Sequence, residues 1–508
     1  MSKTEILSLV ALLAFSALMI GVGIYSKKRA NNVNGFLLGE RSIGPWLSAC
    51  AYGTSYLSAV IFIGYAGQNG WEVGIGSIWI GVFNALIASL LAWVVLAKPT
   101  HSMTRRLEAK TMPELLHKRF DSKGMKFYSA CIIFVFLVPY AAGVYKGLGS
   151  LFSSIFEGAD PLICMILVAV LTAVYLVLGG YFATAINDFI QAIIIVVGVF
   201  VMLFAFYGQP EVGGVSGWLD SLKEASINLH GDERLVDPIG GDAFKTLLLN
   251  ILLTSFGVFG LPQMIHKFYA IKDERSIKPA TVISTAFCVI SGVGAYIVGT
   301  FGPILLGGQL PGDYDSVVPT MLIRVFGSGD VFLALMLGII LLLLLSASMS
   351  TLSSVVLTAA SSISVDLVSL RKKPITEKKQ MLLTRGLCIA FIALSVVFAG
   401  ANVSYIVNLM SFSWGVVAGT FIGPYVWGLF TKRVTKAAAW VGTVSGLAVV
   451  VIGVLWFTLT SGDGFAAAKA NAPLLGVLAM LVSFVSVPLV SLFTKKFSDD
   501  HNKAVFGK

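Results

Sequence analysis

Six hydroxyl side chains follow five leucines in Leu341-Leu-Leu-Leu-Leu-Ser346-Ala-Ser-Met-Ser350-Thr351-Leu-Ser353-Ser354. On a helix, Ala347, Ser350, Thr351 and Ser354 stand at i, i+3, i+4 and i+7 and share one face, with Ser353 at its flank. Hydroxyl and carbonyl oxygens that converge without a protein charge suit a hard monovalent cation that sheds its water. The same face also suits close helix packing, because small hydroxyl residues bond back to the preceding turn and let helices approach. Taken alone, the residues leave both readings open. Asp188, in Ala183-Thr-Ala-Ile-Asn-Asp188-Phe-Ile-Gln191, is a second anomaly, an acid inside an apolar run. An acid within a membrane span is costly and marks a functional site; close to an interface it would equally favour a helix N-terminus.

The elements that must position these residues are apolar and long. Of 508 residues, 56% are hydrophobic and only 12% charged, against roughly 25% charged in an average soluble chain. A chain this size cannot cover a soluble surface with so few charges, so the composition reads as a polytopic all-α membrane protein. Thirteen spans are expected: 5–26, 43–70, 74–97, 124–155, 160–179, 181–207, 243–270, 279–307, 331–368, 381–400, 403–431, 435–460 and 473–494. The first is not a cleaved signal, because its basic cluster Lys27-Lys28-Arg29 follows rather than precedes it. Of the 36 Lys and Arg residues, 29 fall in segments that share one side when the N-terminus is outside. The positive-inside rule then expects an external N-terminus, a cytoplasmic C-terminus and a cytoplasmic-membrane location. Lys27, Lys272, Lys373 and Lys436 are expected inside, Lys223 and Lys469 outside. The same distribution accounts for the net charge of +10 without nucleic acid.

Two spans carry helix breakers at mid-depth: Tyr52-Gly53-Thr-Ser-Tyr-Leu-Ser58 in the second and Gly257-Val-Phe-Gly260-Leu-Pro262 in the seventh. Backbone freed inside a bilayer must be buried or line a polar cavity. A pair of such breaks in corresponding positions points to an inverted-repeat transporter with its site at the midplane. The five cysteines lie in apolar runs without a CxxC pair, and the histidines are not at metal-ligand spacing. No P-loop, dinucleotide fingerprint or nucleophile elbow is present, so an enzyme, an organic cofactor and a transition metal are not expected. The single transmembrane domain spans 1–508. Thr111 should cap a short interfacial helix through Phe120, and a short external helix is expected around Val317–Val325.

At these residues the chain resembles the sodium/solute symporter family, which includes the proline, pantothenate, sialic acid and glucose symporters. The resemblance is carried by Gly35-Phe-Leu-Leu-Gly39, Arg41-Ser-Ile-Gly44-Pro45, the Gly53–Gly64 break, Asn187-Asp188, Gly260-Leu-Pro262 and Ser350-Thr351 followed by Ser361 to Leu367. It implies a leucine-transporter-type fold, with a first five-helix repeat at 43–207, an inverted second repeat at 243–431, and accessory helices at 5–26 and 435–494. It implies a first sodium site with backbone ligands at Thr54, Leu57 and Ala347 and hydroxyl ligands at Ser350 and Thr351. Members that use two sodium ions imply a second site, here Asp188, Ser350, Ser353 and Ser354. The substrate pocket falls on Tyr56, Ser58, Gln68, Tyr140, Thr254, Ser255, Phe259 and Trp414, although each aromatic there also reads as core packing. Tyr56 stands where proline symporters carry an acid, and Thr254 aligns with their pocket tryptophan; both departures weaken a proline assignment. The sugar symporters' set of pocket amides and acids is not evident.

The expected activity is sodium-coupled import of a small organic solute by alternating access, with a monocarboxylate, amino acid or vitamin-like acid favoured. The partners are then sodium, the solute and the bilayer, with no nucleic acid and no obligate protein partner. A proton-coupled carrier that uses Asp188 as relay, or a non-transporting sensor on the same fold, are the rival readings.

Overall fold

The computed structural model describes residues 3–156, 158–327, 330–371, 375–401 and 404–507, so Lys373 lies outside the described residues. The chain is helical almost throughout. In order, α1 is Lys3–Ser26, α2 Pro45–Tyr56 and α3 Val60–Glu72; α4 is Gly74–Arg106, α5 Lys123–Ile155 and α6 Pro161–Tyr207. Then come α7 Phe244–Gly257, α8 Pro262–Ala270, α9 Glu274–Leu305 and α10 Val331–Ser361. The last four are α11 Glu377–Gly400, α12 Ile406–Phe430, α13 Lys436–Thr460 and α14 Ala472–Phe493. Among the described residues, eleven helices are long and apolar enough to cross a membrane, or twelve with the pair α2 and α3, bent by 45°, as one span. The sequence expects thirteen; the count of eleven or twelve takes Pro161–Tyr207 as one, and the break within it falls at Gly180, where the expected spans divide. Its 47 residues are two helices joined across a kink: Gly23 of α1 packs on Tyr175 and Met19 touches Gln191, so the parts before and after Gly180 do not share one straight axis. At the kink Gly180 takes φ +57°, ψ −152°, a conformation glycine adopts without steric cost. The Phe36 carbonyl closes the space where a Cβ would stand.

Close packing rests on absent side chains. A Cβ on Gly70 in α3 would fall on the Gly299 backbone in α9, and one on Gly446 in α13 on the Gly419 carbonyl in α12. Such contacts drive helix association where lipid removes the hydrophobic contrast. Leu13 and Ile24 on α1, and Leu459 and Phe493 on α13 and α14, stay exposed as a lipid-facing belt.

Polar groups hold the two membrane faces. On the side expected to be cytoplasmic, Thr111 caps the helix Met112–Phe120 by accepting from the Glu114 N–H (3.2 Å), as the sequence anticipates. Arg119 from that helix donates to the Gly428 and Thr431 carbonyls (both 2.9 Å), satisfying the end of α12; burial lowers its guanidinium to about 10. On the other side, the helix Val317–Phe326 matches the short external helix expected there. Segment 208–242, between two expected spans, contains a helix at Gly214–His230. Asp315 pairs with Lys146 (2.8 Å) and accepts from the Ile406 N–H (3.2 Å), which fixes the start of α12.

Candidate functional site

Both breaks share one local geometry. Leu57 ends α2 at φ −92°, ψ 110°, and Leu261 precedes α8 at φ −87°, ψ 114°, each four residues after a glycine, Gly53 and Gly257. An extended residue stops the helical ladder in each case. The two interrupted spans are tied at one end, where Ile43 N–H donates to the Ala270 carbonyl (3.4 Å) and Lys272 N–H to the Ile43 carbonyl (3.0 Å).

The backbone freed at the first break is satisfied mainly by α10. Ser348 Oγ accepts from the Ala59 N–H (3.2 Å), and Ser58 Oγ accepts from the Val60 N–H (3.2 Å). On the carbonyl side, Ser350 Oγ donates to Thr54 O at 2.8 Å and also lies 3.0 Å from Ala347 O. Thr351 Oγ1 lies 3.0 Å from Ser55 O, 3.1 Å from Ala347 O and 3.4 Å from Thr54 O. Three carbonyls and two hydroxyls thus meet at one fully buried point between α2 and α10. Four of the five expected first-site residues, Thr54, Ala347, Ser350 and Thr351, are brought together. Leu57 is buried next to the break, and the Ser55 carbonyl joins that of Thr54 in meeting Thr351. A cluster of five neutral oxygens can take a cation without first breaking a protein ion pair.

Asp188 is fully buried, and neither of its carboxylate oxygens has a hydrogen-bond partner among the described residues. It stands eight residues past Gly180 inside α6, so it caps no helix end. Ser353 Oγ donates to the Ser350 carbonyl (3.0 Å), and Ser354 Oγ lies 2.7 Å from Ser55 Oγ. The sequence analysis counts Lys267 among the loop lysines on the cytoplasmic side. The structure instead buries it completely in α8, with Nζ 2.7 Å from Ser354 Oγ and 5.0 Å from the centre of the Tyr181 ring. Pro262 restarts the helix at its first position, so that residue 267 belongs to a helix and not to the loop.

Tyr56, Tyr140 and Trp414 form an aromatic group below the breaks, with ring centres 6.0 Å and 5.9 Å from the indole. Tyr56 Oη donates to the Thr254 carbonyl (3.2 Å), bridging the two broken spans. Trp414 Nε1 is buried, with the Tyr140 hydroxyl as its polar neighbour. The Tyr140 hydroxyl faces both Ser58 and Thr351, joining this group to the oxygen cluster. Thr254 and Ser255 turn instead to Asn84 of α4, both donating to Oδ1 at 2.9 Å; Asn84 is a polar residue that the sequence analysis does not single out. Phe259 packs against Phe256 (6.2 Å). Gln68 lies apart from the aromatic group, beside Glu72 (3.4 Å), and lines a cavity of about 730 Å³ with Lys146, Lys245, Asn250, Asn408 and Lys469.

The family model described as sodium:solute symporter family matches residues 36–446. The osmoregulated proline transporter OpuE of Bacillus subtilis is 28% identical over 94% of this chain and 93% of its own length. The sodium/proline symporter of Staphylococcus aureus is 28% identical over 86% and 84%. Among solved structures, a Na+-coupled sialic acid symporter in a substrate-bound outward-open state superposes with a TM-score of 0.78, at 16% identity, over 97% of this chain and 99% of that one. A manganese transporter of Eremococcus coleocola gives 0.53 at 12% identity, over 90% and 96%. The fold is therefore the leucine-transporter type that the resemblance implies. Matched along most of its length, with its broken helices and oxygen cluster inside the matched region, the chain belongs to the sodium:solute symporter family.

Proposed function

We propose that this symporter carries a small organic acid or amino acid inward across the cell membrane, coupled to sodium that binds between the α2 break and α10. The observation that carries the reading is the meeting of the Thr54, Ser55 and Ala347 carbonyls with the Ser350 and Thr351 hydroxyls. Sodium there would join the half of the chain that holds α2 to the half that holds α10. It would bind one arrangement of these halves better than the other, which coupling requires. A negative-inside membrane adds about 2.3 kcal/mol per charge per 100 mV to inward movement.

The aromatic group suits a compact solute. Lys146, Lys245 and Lys469 line the cavity against two acids, Glu72 and Asp313, a balance that favours a carboxylate. The relatives named for proline make proline the first solute to try, although Tyr56 and Thr254 depart from the pattern of proline symporters. The test is a thermal-shift screen of the purified protein against small carboxylates and amino acids, in sodium and in choline. A solute that stabilises only with sodium supports the reading. Stabilisation equal in both salts contradicts it. The rival proton-coupled carrier expects stabilisation that follows pH instead, and a non-transporting sensor expects binding without accumulation in vesicles.

The orientation proposed is N-terminus outside and C-terminus cytoplasmic. Single cysteines at positions 272 and 436, in a background lacking the five native cysteines, should resist an impermeant thiol reagent applied to intact cells. Cysteines at 223 and 469 should react. Labelling at 436 from outside would reverse the orientation.

A further inference from the structure

Lys267 of α8 and Ser354 of α10 meet, Asp188 of α6 lies near enough to act on Lys267 without a direct ion pair, and all three are buried. Lys267 Nζ donates to Ser354 Oγ at 2.7 Å, and the Tyr181 ring lies 5.0 Å away, presenting its face to the ammonium. Asp188 is the carboxylate that acts electrostatically on Lys267, and its two oxygens have no hydrogen-bond partner among the described residues. The other side chains around this point, Cys50 and Ser55 on α2, Tyr175 on α6 and Ser353 on α10, carry no formal charge. His266 is turned to the edge of Tyr181, with ring centres 5.0 Å apart.

We propose that Lys267 is the resident cation of the site formed by Asp188, Ser353 and Ser354, so that the protein binds a single sodium ion, at the cluster of Thr54, Ala347, Ser350 and Thr351. This rests on the sodium-coupled reading above. The reason is charge balance in a buried place. Buried charges persist when paired, and one carboxylate balances one cation. A lysine ammonium is a compact point charge with three donors, and here it already holds Ser354, one of the hydroxyls a sodium ion would need. A sodium ion added beside it would place two cations against one carboxylate, with Coulomb repulsion undiminished by water. The ammonium stays on the protein through the transport cycle, so it contributes positive charge to the site without carrying an ion across.

Equilibrium binding of radioactive sodium to the purified full-length protein at fixed pH tests this with sodium alone as the probe. Wild type should bind one ion per chain with a Hill coefficient of one. Lys267→Met keeps the length of the side chain and removes its charge, so it should bind two ions with a Hill coefficient above one. Adding Asp188→Asn to that variant should return the count to one. Two ions in wild type, or one ion in Lys267→Met, would overturn the proposal. If Lys267→Met fails to fold, the wild-type count decides: one supports the proposal and two overturns it. No bound sodium in wild type would instead overturn the sodium-coupled reading on which the proposal rests.

Discussion

Ser350→Ala and Thr351→Ala should each raise the sodium concentration for half-maximal stabilisation and uptake by roughly tenfold to a hundredfold. Each removes one of five oxygens that meet at the α2 break, and losing a buried polar partner costs about 1–3 kcal/mol. Thr351→Ser keeps the oxygen and should remain near wild type. Ser346→Ala is the matched control, because the Ser346 hydroxyl is buried in the same helix without any partner among the described residues. Sodium titration of thermal stability reads all four variants. Small and equal effects at 346, 350 and 351 would mean that the serine face serves helix packing, the reading that the sequence leaves open.

A second large effect is expected far from the ion. Gly70→Val should destabilise the protein by about 3 kcal/mol or more, the upper range for overpacking a closed contact. The backbone of Gly299 occupies the space where the new Cβ would stand, and backbone cannot turn aside as a side chain can. The loss should appear in the melting temperature and in the amount of protein reaching the membrane. Gly21→Val, where nothing lies within 4 Å, is the control and should melt like wild type. If Gly70→Val also melts like wild type, the crossing of α3 and α9 is looser than described.

Much of this architecture was legible in residue spacing. Gly53 and the Gly260-Leu-Pro262 triplet are local signals, since each acts on its own backbone, and both breaks fall where they place them. The hydroxyls at 350 and 351 were legible because helical periodicity alone puts them on one face. What escaped depends on contacts between distant segments. The Ser55 carbonyl, which no residue pattern marks, is an α2 oxygen that meets Thr351. Lys267 was counted with the loop lysines because its neighbours Lys272, Arg275 and Lys278 continue the same basic run. Only the packing of α8 against α10 shows that it points inward, onto Ser354. Asn84 lies in an otherwise apolar helix and gains meaning only when Thr254 and Ser255 arrive from 170 and 171 residues away. The positive-φ turn at Gly180, by contrast, was legible, because Gly179-Gly180 reads as the gap between two spans and the helix breaks there.

On the proposed reading, sodium would have a mechanical role. The α2 break is held from one side by α10, through Ser348, Ser350 and Thr351, and from the other by Tyr56 on Thr254 of α7. Tyr140 touches both the aromatic group and Thr351, so a solute against Trp414 and an ion at Thr351 would share one neighbour. Occupancy of one position then alters the other by ordering the same few side chains. That is a coupling free energy, and it must act equally in both directions. Sodium should therefore tighten solute binding by the same factor by which solute tightens sodium binding.

The most direct measurement is accumulation in proteoliposomes of the solute that the sodium-dependent screen identifies, with either a sodium gradient or a proton gradient imposed alone. With pH equal on both sides, an inward sodium gradient should drive accumulation above the external concentration, and Ser350→Ala should abolish it at low sodium. Accumulation driven by a proton gradient in the absence of sodium, with no response to a sodium gradient, would contradict the account.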